Sequence, residues 1–209
     1  MARAFDDSTR RNIAELCGAF TRAAGEEAGP ALKRAAVAIT LTESEQGSGT
    51  AFLLTRRSAS LRSHRAQWAL PGGRCDAGET QSQAALRELH EELGLQLGES
   101  EVLGVLDDYP TRSGYLITPV VVWAGQGGAI VPNPAEVASV HRIALETIEL
   151  DDAFSFTSIP ESTRRVIRFR LGGGHIHAPT AALIYQFREV LAGRNTRVDE
   201  LEQPVFAWR

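Results

Sequence analysis

The sequence predicts a mixed α/β domain, and three observations carry that expectation. Short apolar and β-branched runs recur at residues 35–42, 50–55, 101–106, 115–123 and 165–171. Segments with helical spacing stand before, between and after them. No internal repeat or low-complexity linker separates the two kinds of element, so strands and helices are expected to share one core.

The elements follow from local signals. Residues 8–25 carry Ile13, Leu16, Phe20 and Ala23 along one side, behind Asp7 or Ser8 as N-cap, and Gly29-Pro30 ends the segment. Runs 35–42 and 50–55 read as strands joined by the polar, glycine-containing segment 43–49. Pro71-Gly72-Gly73 reads as a turn before a helix over 80–93, with Thr80 and Gln83 in capping-box spacing and Gly94 as its stop. Strands follow at 101–106 and 115–123, another at 137–143, then a short helix at 145–150. The strand 165–171 stops at Gly172-Gly173-Gly174. Pro179 suits the first turn of a helix reaching 191, and 205–208 adds a last extended segment.

Bulk numbers bound the function. A chain of 209 residues, 43% hydrophobic and 23% charged, can bury an ordinary globular core. Its net charge of −4 argues against nucleic acid or an anionic membrane surface as partner. No apolar run has the length of a membrane span, and the first residues lack the apolar centre of a secretory signal, so a cytoplasmic location is expected. Cys17 and Cys75 fall in different elements and read as free thiols.

The chemistry concentrates on the helix over 80–93. At about 100° per residue, Glu88, Glu91 and Glu92 share one sector while Leu86, Leu89 and Leu93 line another. Like charges three and four residues apart weaken a helix, so the cluster asks for a cation. Hard carboxylate oxygens suit Mg²⁺ or Mn²⁺. A solvated acidic face is the plainer alternative.

The spacing of the whole stretch goes further. From Gly73, five residues lead to Glu79 and seven more to Arg87-Glu88-Leu89-His90-Glu91-Glu92-Leu93-Gly94-Leu95. This resembles the signature of the Nudix hydrolases with its fixed positions filled. The resemblance implies an α/β/α fold, a mixed sheet sandwiched between helices, with the signature as a loop–helix–loop. It implies a Nudix domain over residues 31–209, with residues 1–30 as a helical segment packed on it. It further implies phosphoanhydride hydrolysis with Glu88, Glu91 and Glu92 as ligands of Mg²⁺ or Mn²⁺ and a carbonyl such as that of Gly72 as an extra ligand. Arg87, four residues before Glu91, could orient it through a bidentate pair, with an ordinary surface pair as the preferred reading on helix statistics alone, and Glu88 is the first choice as general base. Glu136, in a downstream loop, is a weaker choice, and a solvated carboxylate is the preferred reading for it. A homodimer is a further expectation, since many family members are dimers.

A second motif narrows the substrate. Leu53, Leu54, Thr55, Arg57, Ser58, Arg62, Pro71, Gly72 and Gly73 fall in the spacing that is similar to that of the coenzyme A pyrophosphatases within this family. Ala66 stands where that pattern has glycine and Leu70 where it has phenylalanine. Arg57 and Arg62 could meet the anionic groups of coenzyme A, and His64 lies in the same segment. The expected reaction converts coenzyme A or a thioester to 4′-phosphopantetheine (or its acyl form) and adenosine 3′,5′-bisphosphate. The alternatives are another nucleoside diphosphate derivative, such as ADP-ribose or NADH, and a nucleotide-sensing domain without turnover. Arg112, with Tyr109 or Tyr115, is a further candidate for nucleotide recognition. Trp68 reads as a core or interface residue that could also stack on a base. The pair His175 and His177 has no third ligand in suitable spacing and reads as structural.

Overall fold

A computed structural model describes residues 3–23, 32–47, 49–59, 67–125 and 129–205. Strands β1 (Lys33–Glu43), β2 (Thr50–Arg57), β3 (Trp68–Ala69), β4 (Gly72–Arg74), β5 (Val102–Val105), β6 (Tyr109–Pro110), β7 (Tyr115–Trp123) and β8 (Val137–Ala144) form one mixed sheet. Its central order is β3-β2-β1-β7-β5, with β4 also paired to β1, β6 to β7 and β8 to β2. Strands β1 and β7 run parallel from Lys33↔Tyr115 to Leu41↔Trp123. The connection between them carries helix α2 (Gln81–Leu93), as a parallel pair requires a crossover.

Alternation along the central strands divides the core. Ala36, Ala38, Leu53, Val120 and Val122 face Ala85, Leu86, Leu89 and Leu93 of α2. The intervening Ile39, Leu41, Phe52, Leu54, Val121 and Trp123 face the other way. That second face is covered by α1 (Asp7–Ala19), α3 (Leu145–Glu149) and α4 (Thr180–Leu191). The antiparallel sheet of β9 (Phe154–Ile159), β10 (Ser162–Leu171) and β11 (Gly174–His177) packs there as well. The result is the expected sheet between helical layers.

The local signals explain most boundaries. Helix α2 begins with the Thr80–Gln83 capping box and ends at Gly94 in the left-handed conformation, φ 69°. Strand β7 spans the expected run from end to end. The first helix differs from expectation. It is capped by Asp6, whose carboxylate accepts Thr9 N–H at 2.8 Å, and it stops at Ala19 rather than 25. Phe20 turns extended and enters the core. Beyond it, Thr21 and Ala23 give their N–H groups to Asn195 and Asp107 instead of continuing the helix.

The Gly72-Gly73 segment, expected as a turn, is a strand edge. It pairs with β1 through Ala36↔Gly73 and Val37↔Gly72. Gly72 has φ 153°, and a Cβ there would stand 2.6 Å from the Val37 Cα. Only glycine allows so close a backbone approach. Strands β3, β4, β6, β9 and β11 were not anticipated. Arg62, His64 and Ala66, and most of the expected extended tail at 205–208, lie outside the described residues. Cys17 is buried and Cys75 partly so, both as free thiols. No described helix is long and apolar enough to cross a membrane.

Candidate active site

Burying the leucine sector of α2 against the sheet swings its glutamates toward β4 and β2. Glu88 packs directly on Gly73, where an added Cβ would stand 2.6 Å from the Glu88 Cδ. Burial raises the Glu88 carboxyl above its usual range, with Glu91 and Glu136 adding like charge and Arg87 opposing. Glu92 is 3% exposed. Burial, then the Glu88 charge, push its carboxyl up to about 8, while Arg57 and the Gly72 N–H that donates to it pull the other way. Glu91 is exposed. Gly72 thus presents its N–H to Glu92.

Arg87 organises the cluster. It donates through Nε at 2.9 Å and Nη2 at 3.2 Å to the two oxygens of Glu79. Its Nη1 reaches Glu88 at 2.9 Å and Glu91 at 3.1 Å, and Nη2 reaches the Arg74 carbonyl at 2.8 Å. The bidentate partner is therefore Glu79, with Glu91 held by one bond. Glu79 also accepts the Asp76 N–H, fixing the loop before the helix. Sequence reasoning passed over this role, although Glu79 is a fixed position of the signature. Glu136 lies in the turn before β8, near enough to raise both Glu88 and Glu92. It is half-buried rather than a freely solvated loop carboxylate, and the Asn133 amide donates to it at 3.3 Å.

These residues fit a hard divalent cation by their chemistry. Burial and neighbouring carboxylates disfavour ionisation of Glu88 and Glu92, so positive charge placed beside them relieves a repulsion that Arg57 and Arg87 do not cancel. No three His, Cys, Asp or Glu side chains among the described residues are already gathered around a metal position. Arg87 holds Glu88 and Glu91 on its own guanidinium.

A cleft of about 400 Å³ adjoins the cluster across β4. Gly72, Gly73 and Arg57 border it, and Val37, Leu70, Ile117 and Leu183 line it from the face of the sheet opposite α2. Arg57 bridges the two regions. Its Nη1 stands 3.9 Å from Glu92, and its buried Nε has no hydrogen-bond partner among the described residues. The rings of Trp68 and Tyr115 also line the cleft, with Arg56 4.9 Å from the first and Arg74 5.2 Å from the second.

Arg112 is placed elsewhere. It donates from Nε at 3.1 Å and Nη2 at 2.5 Å to Glu202 and lines a separate surface pocket. Tyr109 is buried with its hydroxyl on the Leu201 carbonyl. Of the three residues considered for that loop, Tyr115 alone lines the cleft. His175 and His177 stand in β11 opposite Arg170 and Arg168, away from the glutamates.

Comparison with known proteins agrees with the geometry. The chain is 45% identical over 95 residues to the uncharacterized Nudix hydrolase NudL of Photorhabdus laumondii, covering 45% of this chain and 51% of that one. It is 38% identical over 100 residues to Nudix hydrolase 3 of Caenorhabditis elegans, covering 46% of this chain and 42% of that one. The chain thus spans about half the length of the curated relatives it matches. The fold resembles the MutT/nudix family protein of Enterococcus faecalis with a TM-score of 0.59 at 17% identity, over 83% of this chain and 67% of that one. The Nudix hydrolase RenU of M. smegmatis gives 0.51 at 25% identity, over 77% and 86%. The NUDIX domain itself matches residues 32–166, from the start of β1 into β10, and the chain accordingly belongs to the Nudix family.

Proposed function

We propose that the protein is a divalent-metal-dependent pyrophosphohydrolase of nucleoside diphosphate derivatives, with coenzyme A and its thioesters as the preferred substrates. The observation that carries the reading is the buried Glu92, held beside Glu88 on one side and beside Arg57 at the edge of a cleft on the other. Glu88, Glu91 and Glu92 would hold Mg²⁺ or Mn²⁺, which neutralises non-bridging oxygens and lowers the pKa of water.

The chain's own residues divide the remaining work. Arg57 binds the diphosphate through donors that its present partners do not use. Arg87 keeps Glu88 and Glu91 in place from behind. Glu88 accepts the proton of the attacking water, and Glu136 is the second choice. Attack of water on phosphorus breaks the anhydride without a covalent enzyme intermediate. The preference for coenzyme A rests on the Leu53-to-Gly73 spacing, within which Arg57 lies at the cleft.

The test is a hydrolysis panel of coenzyme A, acetyl-coenzyme A, ADP-ribose and NADH with Mg²⁺, Mn²⁺ or chelator. A higher kcat/KM for the coenzyme A pair supports the full reading. Preference for ADP-ribose or NADH keeps the chemistry and removes the coenzyme A assignment. No turnover of any of the four, alongside measurable nucleotide binding, would leave a sensing domain in place of an enzyme.

A further inference from the structure

Strand β1 opens with two adjacent basic residues, and alternation sends them to opposite faces of the sheet. Arg34 shares the α2 face with Ala36 and Ala38, and its Nη1 donates to Asp108 at 3.1 Å. Lys33 shares the other face with Ala35 and Val37, which line the cleft. The same division holds at the end of β4. Cys75 packs on the α2 side, among the charges of Glu79, Arg34, Arg87 and Asp108. Arg74, opposite Ala35 in the ladder, lines the cleft.

Arg74 and Lys33 meet at one ring. The Arg74 guanidinium carbon stands 5.2 Å and the Lys33 Nζ 6.0 Å from the centre of the Tyr115 ring, itself part of the cleft wall. Lys33 is the register partner of Tyr115, so the parallel ladder brings that pair together. Among the described residues neither cation has a carboxylate in ion-pairing distance, whereas Arg22, Arg34, Arg57, Arg87, Arg112 and Arg197 each have one. A ring covers one face of a guanidinium and leaves the N–H groups in its plane for an acceptor. With a net charge of −4 the chain as a whole repels a polyanion, so two cations without acids mark where the cleft can receive negative charge.

The pair stands apart from the position assigned to the diphosphate. Arg57 and Gly72 border the cleft where it meets Glu92. Arg74 is two residues beyond Gly72, and Lys33 is four before Val37, the partner of Gly72. At strand spacing these separations are roughly 7 and 13 Å along the sheet. A phosphate held one sugar away from a diphosphate falls in that range.

We propose that Arg74 and Lys33, arrayed on Tyr115, form a phosphomonoester subsite that selects nucleoside diphosphate derivatives bearing a further phosphate on the ribose. The proposal rests on the hydrolase reading for the class of ligand and supplies a physical basis for the coenzyme A preference within it. ADP-ribose and NADH carry no such phosphate.

The experiment titrates adenosine 3′,5′-bisphosphate and AMP into the full chain by calorimetry, for the wild type, Arg74→Gln, Lys33→Gln and the double variant. Neither ligand contains a phosphoanhydride, so Mg²⁺ is present without turnover. Both side chains are exposed, so the variants should fold, and thermal melts check that they do. The wild type should bind the bisphosphate roughly tenfold or more tightly than AMP, as an added charge-assisted contact implies. Each single variant should narrow that ratio, and the double variant should bring it close to unity with AMP affinity little changed. In turnover, the kcat/KM ratio of coenzyme A to dephospho-coenzyme A should fall in the same order.

A wild type that binds the two ligands equally, or binds neither, overturns the subsite, as does a ratio unchanged in the double variant. A ratio that depends on Arg74 and Lys33 in a protein that cleaves no phosphoanhydride keeps the subsite and removes the hydrolase reading. Equal turnover of coenzyme A and dephospho-coenzyme A by the wild type does the reverse.

Discussion

Replacing Glu92 with glutamine should raise stability and abolish activity, and the stability half can be worked from the structure. In the metal-free protein the Glu92 carboxyl is pushed up to about 8 from 4.5, first by burial and then by the Glu88 charge. A raised acid binds its proton more tightly in the folded state than in the unfolded one. The stability it contributes is therefore fully present below pH 4.5 and is lost as pH rises through about 8. At about 1.4 kcal/mol per pH unit, folding weakens by ~2–3 kcal/mol between pH 6 and 8. For a chain of this length that is roughly 5–10 °C in Tm.

Glu92→Gln keeps an oxygen for the Gly72 N–H and removes the titration. The assay is a set of thermal melts in chelator, with the Tm of wild type minus that of Glu92→Gln plotted against pH. The difference should fall steeply from pH 6 to 8. Adding Mg²⁺ at pH 8 should restore wild type, because the cation favours the ionised carboxylate, and should help the variant less. A difference that is flat or rising across that window would refute the reasoning, since Glu92 would then already be ionised and compensated at pH 6.

Three further outcomes follow from single contacts. Gly73→Ala places a methyl group 2.6 Å from the Glu88 Cδ, so melts should show ~1–3 kcal/mol of destabilisation and initial rates a loss greater than about tenfold as Glu88 is displaced. Arg87→Lys cannot serve Glu79, Glu88, Glu91 and the Arg74 carbonyl at once, and Mn²⁺ titrations of activity should show roughly 10–100-fold weaker performance with the fold intact. Gly104→Ala drives a methyl group to 2.6 Å from the Cys17 Cβ, so α1 should lift. Stability should drop by ~1–3 kcal/mol, and Cys17, whose thiol burial holds up to about 12, should become reactive to thiol reagents at neutral pH.

What the sequence showed was the part of the structure that local spacing determines. Helix α2 was legible because its cap, its leucine sector and its stop all lie within fifteen residues of one another. Strand β7 was legible because a continuous β-branched run needs no partner to be recognised. Strand β9 carried its alternation in Phe154 and Phe156 and was passed over. Strands β3, β4 and β6 are too short for any periodicity. The site divides in the same way. Three glutamates on one sector could be read from a helical wheel, but the burial of Glu92 depends on β2 and β4 closing over it. Arg112 looked like a ligand-binding residue because its partner, Glu202, lies 90 residues away.

That division bears on how the chain could change its substrate. The acidic helix is a costly arrangement, since burial first and like charge second oppose ionisation of Glu88 and Glu92. It is held by short-range devices: the glycine pair in β4, the Arg87–Glu79 link and the capping box. A substitution in any of these should disturb chemistry whatever the substrate. The second wall of the cleft is built by other devices: α4 packs on α1, α3, β10 and β11, and the segment carrying Gln203 is held by Glu202, Arg112, Ser162 and Tyr109. On the proposed hydrolase reading, changes in the cleft wall after residue 166 alter what the cleft admits while leaving the hydrolytic machinery in register. Changes in the glycine pair and the acidic helix do the opposite. Kinetics should separate the two groups as KM effects that depend on the substrate and kcat effects that do not.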